Sequence, residues 1–255
     1  MRLPTIRAII DRRVLVNFRV QPDRLAALLP PPFEPQLVGG HGIAGICLIR
    51  LKHVRPQGLP AWVGVSSENA AHRIAVQWED DGQVRTGVYI PRRDTDSRIN
   101  AWLGGRAFPG QHHFSHFEVN EQFDADLGDK KPKDRVNVAM HSADNSASVL
   151  VEGTATDKLP DDSLFDSVEH VSQFFEAGSL GYSPAIKSGE YDGLELRTFN
   201  WHVQPLAVTR VESSLFDDRA QFPPGTATFD NALLMRGIDH QWHSRESICC
   251  EAISK

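Results

Sequence analysis

A chain of 255 residues, 40% of them hydrophobic and 24% charged, has the composition of a globular protein, and its length permits one large domain. The formal net charge of −6 argues against a nucleic-acid partner, because phosphate binding requires a concentrated basic surface. No stretch offers the roughly 20 apolar residues of a membrane span, and three cysteines are too few for a disulfide framework. We therefore expect one domain over residues 1–255, in the cytoplasm and without a membrane partner.

Strand signals dominate the chain, because most segments alternate apolar and polar residues or are rich in β-branched and aromatic side chains. The predicted strands are residues 14–20, 43–54, 72–78, 84–90, 112–119, 136–141, 148–155, 194–203 and 229–238. The polar, charge-dense stretch 124–134 is interpreted as a solvated loop between strands and not as a domain boundary.

Two segments are predicted to be helical. Residues 22–29 begin with Pro22, which suits a first helical turn, and three prolines then stop the helix. Residues 163–177 follow a candidate cap at Asp161 or Asp162 and end at Gly178. Their apolar face consists of Leu164, Phe165, Val168, Val171, Phe174 and Phe175.

Nine or more strands joined mainly by turns, without strand–helix–strand alternation, predict a mainly β, β-rich α+β fold. An antiparallel barrel and a sandwich both fit this pattern, with a few helices laid over the sheet. A closed barrel of this size can hold one ligand in its interior.

The densest polar run of the chain follows the predicted strand 84–90. It contains Arg92, Arg93, Asp94, Asp96, Arg98 and Asn100. A guanidinium group presents a planar fork of donors, which suits recognition of a carboxylate. The alternative is a surface loop whose charges neutralise one another, and the sequence leaves both interpretations open.

Glu68 lies among small residues just before the predicted strand 72–78. A carboxylate at the start of a strand could act as a general acid or base, or could orient a substrate. The alternative is a turn that leaves Glu68 in solvent.

Histidines cluster at His112, His113 and His116, which raises the question of a metal site. His112 and His116 share a strand face but lie about 13 Å apart at ~3.3 Å per residue, too far to bind one ion. The sequence therefore favours no metal and no cofactor, and we assign His112 to substrate binding. A metal-dependent enzyme that uses one of these histidines with distant ligands, such as His240 and His243, stays open as a third alternative.

The second predicted helix ends in a glycine-rich turn, residues 178–183. The apolar residues of this segment are most simply part of the core. Its polar residues, Glu176, Ser179 and Tyr182, could face a cavity, and we assign Tyr182 to substrate binding.

The order of several segments resembles the opening of the acetoacetate decarboxylase superfamily. These segments are Asp11-Arg12-Arg13 leading into a strand, Pro22-Asp23-Arg24-Leu25 in a short helix, and the proline-rich residues 28–35. The closer resemblance is to a bacterial branch of uncharacterised proteins often called YqjF-like, which residues 174–183, Trp201, Pro205 and Leu206 and the runs around Glu68 and 92–100 share. The resemblance implies a cone-like antiparallel β-barrel around a buried pocket.

In the decarboxylase, a lysine forms a Schiff base with a keto acid, and glutamates and an arginine orient the substrate. By resemblance, Glu68 matches one glutamate, and Arg12 or Arg13 falls close to the arginine. The other glutamate aligns near Cys47.

The lysine pair of the decarboxylase is missing, because the aligned region is residues 96–100 and contains Arg98 instead. Arginine stays protonated and cannot form the imine. Lys130 and Lys131 lie in the polar loop, where water would keep both amines charged.

Two function classes fit these residues. The first is an enzyme that carries out a cofactor-free lyase, isomerase or hydratase step on a small carbonyl- or carboxylate-containing substrate. Glu68 would be its general acid or base, and Arg98 a catalytic residue that holds the anion. The substrate-binding residues would be Arg12, Arg93, Asn100, His112 and Tyr182. The alternative is a non-catalytic binding protein, a sensor or carrier for a small anionic molecule. Relatives in the superfamily form oligomers, so a homo-oligomer is a further expectation.

Overall fold

The structure is a computed structural model that describes residues 4–106, 108–123 and 134–249. The stretch 124–134, interpreted as a loop, and the pair Lys130–Lys131 fall outside the described residues except for Asp134. The strands are β1 (Ile6–Val20), β2 (Glu34–Pro35), β3 (Leu37–Val38), β4 (His41–Pro56), β5 (Val65–Asp80), β6 (Gln83–Thr95), β7 (His112–Gln122), β8 (Arg135–Ser142), β9 (Ser148–Ala155), β10 (Leu180–Pro184), β11 (Glu190–Thr198), β12 (Gln204–Ser213) and β13 (Ala227–Cys249).

The helices are short. They are α1 (Pro22–Ala26), α2 (Arg98–Leu103) and α3 (Val168–Ala177), with a 3-10 turn at Ala61–Val63. Helix α3 begins later than predicted, because the Ser167 side chain accepts a hydrogen bond from the backbone N–H of His170 and caps the helix there. The preceding segment is tied to β13 instead: Ser163 Oγ and the backbone N–H of Leu164 donate to Asp230 at 2.8 and 2.9 Å.

The sequence did not predict α2, β10 or β12. Helix α2 lies within the arginine-rich run, and the Ser97 side chain caps it by accepting from the backbone N–H of Asn100. Of the predicted strand 194–203, only residues 194–198 are in a strand, β11; residues 199–203 connect it to β12, which begins at Gln204. Short elements that contain glycine or proline, such as β10, carry a weak strand signal.

All these strands belong to one sheet that closes on itself in two hydrogen-bonded rings. The small ring runs β6–β5–β4–β1–β13–β11–β10 and returns to β6. The large ring runs β6–β7–β8–β9–β12–β13–β1–β4–β5. The β-rich, closed architecture is confirmed, but the sheet is mixed, because β6 pairs in parallel with both β7 and β10.

The strands that both rings share are buried on both faces. On β1, Val14 and Val16 pack into the core that includes β8 and β9, whereas Leu15 packs into a second core beneath α3. Successive side chains of a strand point to opposite faces, so a strand between two cores reads as a continuous apolar run. The cavity described below lies on the face of Leu15.

In the parts of the chain that the structure describes, no helix is long and apolar enough to cross a membrane.

Candidate functional site

A cavity of about 500 Å³ lies on the small-ring side of the shared strands, next to α3. The apolar part of its lining includes Leu51, Ile90, Phe175, Leu194, Leu196, Trp201 and Trp242. Three lining residues, Glu176, Arg197 and Phe199, are exposed, so the cavity reaches solvent near the end of α3 and of β11.

Four arginines line this cavity. Arg197 is exposed and pairs with Glu195, whereas the other three lie deeper, Arg13 on β1, Arg73 on β5 and Arg93 on β6. The strand register brings them together. Arg13 lies opposite Ile49 on β4, while Arg93 lies opposite Ala71, two residues before Arg73. A register shift in the pairing of β5 with β6 lets Val88, Ile90 and Arg93 all reach the cavity.

Arg73 is the most deeply buried of the three, with 5% of its surface exposed. Its guanidinium donates to Asn17 Oδ1, and its Cζ lies 4.5 Å from the centroid of the Phe175 ring. Burial lowers the pKa of Arg73 to about 9. Its Nε is buried and has no hydrogen-bond partner among the described residues.

The other two arginines also contact uncharged groups. Arg93 Nε donates to Ser183 Oγ at 3.0 Å, and burial lowers the pKa of Arg93 to about 10. Arg13 Nε donates to Cys47 Sγ at 3.3 Å. Within the described ranges, none of the three arginines forms an ion pair with a carboxylate.

His112, Asn69 and the buried Asp94 also belong to the polar part of the wall, and the Asp94 carboxylate pairs with Arg92. His112 Nδ1 lies 3.0 Å from the carbonyl oxygen of Gly110. Burial, followed by the nearby positive charge of Arg93, lowers the pKa of His112 to about 4, so the imidazole is neutral at pH 7. Asn69 Nδ2 donates to the backbone oxygen of Ser67 at 3.1 Å.

The structure brings three of the predicted binding residues together. Arg93 and His112 line the main cavity, and Asn100 lines an adjoining pocket of about 80 Å³ whose lining also includes Arg93, His112 and Asn69. The arginine-rich run therefore contributes to a cavity wall and is not only a surface loop.

Glu68 and Arg12 lie together, but on the opposite face of the sheet from the cavity. The Arg12 guanidinium is fully buried and donates to Glu68 Oε2 at 2.5 Å and to Glu121. Arg50 also donates to Glu68 and to Glu121, the latter at 3.0 Å. These four residues, Arg12, Arg50, Glu68 and Glu121, form an ion cluster in which both carboxylates are occupied.

The one-residue ambiguity between Arg12 and Arg13 is resolved in favour of Arg13 as the cavity residue. Arg12 was assigned to substrate binding, but neighbouring residues of a strand point to opposite faces, so only one of the two can reach the cavity.

Arg98 and Tyr182 also lie away from the cavity wall. Arg98 is exposed at the start of α2, with its Cζ 4.8 Å from the centroid of the Phe114 ring. Tyr182 is buried in an aromatic cluster, with its ring centroid 5.5 Å from those of Phe33 and Trp78. Glu176 and Ser179, the other polar residues of that segment, do line the cavity.

Sequence reasoning missed Arg73 and gave Cys47 no role. Arg73 ends the run that contains Glu68, and alternation from Asn69 through Ala71 to Arg73 was the available signal. Alternation alone does not show whether the odd-numbered residues 69, 71 and 73 or the even-numbered residues 68, 70 and 72 face a cavity. No lysine is among the cavity-lining residues, and the described residues contain no group of three or more His, Cys, Asp or Glu side chains placed to hold a metal.

The fold is that of acetoacetate decarboxylase-like proteins. An acetoacetate decarboxylase-like enzyme from Sphingomonas wittichii RW1 is similar over 96% of this chain and 94% of its own, with a TM-score of 0.61 and 14% identity. Acetoacetate decarboxylase from Legionella pneumophila subsp. pneumophila str. Philadelphia 1 covers 96% of this chain and 88% of its own, with a TM-score of 0.59 and 12% identity. The enduracididine biosynthesis enzyme MppR, complexed with pyruvate, covers 96% and 90%, with a TM-score of 0.57 and 14% identity.

The chain belongs to the DUF2071 family, described as an uncharacterized conserved protein, which matches residues 8–229. This match confirms the resemblance inferred from the segment order. No curated protein matches the chain.

Proposed function

We propose that this chain binds a small molecule that carries a carboxylate, held in the cavity by Arg13, Arg73 and Arg93. The observation that carries the proposal is the presence of three guanidinium groups around one cavity, none paired with a carboxylate among the described residues. A desolvated cation without a counter-charge is energetically costly, so an entering anion gains the full attraction of these groups.

The protonation states favour the same ligand. Although burial lowers the pKa of Arg73 to about 9 and that of Arg93 to about 10, both side chains remain positive at pH 7. A guanidinium binds a carboxylate through two parallel hydrogen bonds. Arg73 Nε, which has no partner among the described residues, is free to donate one of them.

The apolar lining indicates that the remainder of the ligand is apolar. Phe175, Leu194 and Trp242 offer a surface for an aliphatic or aromatic body, and about 500 Å³ falls within the usual range for small-molecule sites. A protein of the same fold is described in complex with pyruvate, which is itself a small carboxylate.

The carboxylate of Glu68 is already paired with Arg12 and Arg50, so we propose binding and not a catalytic step. The role of Glu68 as general acid or base in a lyase, isomerase or hydratase step stays a prediction. Product analysis separates the two classes: time-dependent conversion of a bound ligand would indicate an enzyme, and recovery of unchanged ligand would indicate a sensor or carrier.

The experiment that tests binding is a thermal-shift screen of keto acids, hydroxy acids and aromatic carboxylates, each beside its neutral amide. A carboxylate at 100 times its dissociation constant adds about 2.7 kcal/mol of stability, which raises the unfolding midpoint by roughly 5–10 °C in a domain of this size. We expect Arg93→Gln to abolish the shift.

The matched control is Arg85→Gln, because Arg85 lies on the same strand with about half of its side chain exposed and pairs with Asp80. This variant should keep the shift of the native protein. An equal shift with the amides, or a full shift in Arg93→Gln, would contradict an anion site at these arginines.

A further inference from the structure

Cys47 lies in the middle of the wall that carries the three arginines. It is opposite Leu15 on β1 and opposite Ala71 on β5, and Ala71 is in turn opposite Arg93 on β6. The side chain is 7% exposed and lines the cavity, and its sulfur accepts the hydrogen bond from Arg13 Nε.

A second observation points to a ligand next to this sulfur. Arg73 is two residues from Ala71 along the same face of β5, lines the same cavity and has a buried Nε without a partner among the described residues. Arg13, Arg73, Arg93 and Cys47 all line this one cavity, and the Arg13 guanidinium touches the sulfur directly. An anion that binds Arg13 would therefore lie next to the thiol.

We propose that Cys47 is a nucleophile that forms a covalent bond with carboxylate ligands whose β-carbon is electrophilic, an inference that rests on the function proposed above. The ligand class is an α,β-unsaturated carboxylate. Fixing the carboxylate on the arginines holds the carbon beside the sulfur, which replaces a bimolecular encounter by a positioned one.

The reaction is an addition and requires no oxidant or reductant. The sulfur forms a bond to the β-carbon as the carbon–carbon π bond breaks, and that electron pair passes to the α-carbon and the carboxylate. The α-carbon then takes a proton from solvent, and the thiol proton is released to solvent. Positive groups already in place stabilise the charge that develops on the carboxylate.

The probes for this chemistry are iodoacetate, which is anionic, and iodoacetamide, its neutral analogue. With either probe the sulfur bonds to the methylene carbon, the carbon–iodine bond breaks, iodide leaves with the bonding pair and the thiol proton goes to solvent. Mass spectrometry of the peptides, in a Cys250→Ser background, gives the two rates at Cys47 and at the exposed Cys249.

We expect the ratio of the iodoacetate rate to the iodoacetamide rate to be at least tenfold higher at Cys47 than at Cys249. Arg13→Gln should lower this ratio at Cys47, and Arg13→Lys should restore much of it. Arg7→Gln is the control, because Arg7 is on the same strand but does not line the cavity and pairs with Asp239.

A Cys47→Ser variant separates this inference from the binding function. If Cys47 reacts with the same ratio as Cys249 while carboxylates still shift the unfolding midpoint of the native protein and of Cys47→Ser, the nucleophile is overturned and the anion site stands. If carboxylates shift neither protein, the binding function itself fails.

Discussion

Two buried arginines, Arg12 on β1 and Arg73 on β5, differ in what surrounds them. Arg12 contacts Glu68 and Glu121, so its charge is compensated inside the fold. Arg73 contacts an amide oxygen and an aromatic ring, and no carboxylate among the described residues. A buried charge that a protein keeps without a partner reduces the stability of the free protein, which is a common property of binding sites.

Replacing each of these arginines by methionine should therefore have opposite effects. We expect Arg73→Met to raise the unfolding free energy of the free protein by about 1 kcal/mol, because a desolvated cation is removed. Arg12→Met should lower it by about 3–5 kcal/mol, because two largely buried carboxylates each lose one of the two arginines that contact them. Urea denaturation without ligand measures both values.

Comparison of the two variants distinguishes a binding role of Arg73 from a structural one. If Arg73→Met destabilised the protein as strongly as Arg12→Met, Arg73 would be a structural residue whose hydrogen bond to Asn17 matters more than its charge. If Arg73 binds the ligand, carboxylates should no longer raise the unfolding midpoint of Arg73→Met. If its role is only structural, they should still do so.

Helix α3 connects the cavity to the rest of the fold. Phe175 packs over the Arg73 guanidinium, and the Ser172 hydroxyl accepts a hydrogen bond from Trp201 Nε1 at 2.9 Å. The two contacts hold the middle and the C-terminal end of α3 against the cavity wall. A change in the position of α3 would therefore move Phe175 relative to the Arg73 guanidinium in the cavity wall.

The start of α3 depends on the cap at Ser167, whose side chain accepts from the backbone N–H of His170 at 3.1 Å. We expect Ser167→Ala to lower the unfolding free energy by about 1 kcal/mol, because one terminal N–H loses its partner. Chemical denaturation provides the measurement. Ser188→Ala, at an exposed serine, is the control, and an equal loss there would show that the effect is not due to the cap.

For the molecule as a whole, burial of neutral histidines couples stability to pH. Burial lowers the pKa of His72 and of His240 to about 4, and the Nε2 atom of each has no partner among the described residues. The unfolded chain binds a proton at each histidine near pH 6.5, whereas the folded chain does so only near pH 4. The stability contribution is thus complete above about pH 6.5 and is lost as the pH falls towards 4.

Between pH 6 and 5, each of these histidines should therefore lower the unfolding free energy by up to about 1.4 kcal/mol per pH unit. Urea denaturation at pH 7.5, 6 and 5 measures this slope. His72→Gln should reduce the slope by nearly one proton, and His202→Gln, at an exposed histidine, should leave it unchanged. A stability that does not change over this interval would contradict the burial of neutral imidazoles.

The amino-acid sequence by itself determined the β-rich class, the existence and C-terminal end of α3, the family resemblance and the arginine-rich run as a binding candidate. These features follow from local patterns: strand alternation, an apolar helix face that ends at Gly178, and the order of segments. The same patterns identified Arg93, Asn100 and His112, because each lies in a run whose polarity is visible without a partner strand.

Only the tertiary structure decided which face of each strand lines the cavity. Arg13 and not Arg12 lines it on β1, and Arg73 and not Glu68 on β5, since a strand alternates between two faces and a shift of one residue exchanges them. The shared strands are buried on both sides, so hydrophobicity does not mark the cavity face. The register of four successive strands, β1, β4, β5 and β6, brings together Arg13, Cys47, Arg73 and Arg93, and no local signal predicts that register.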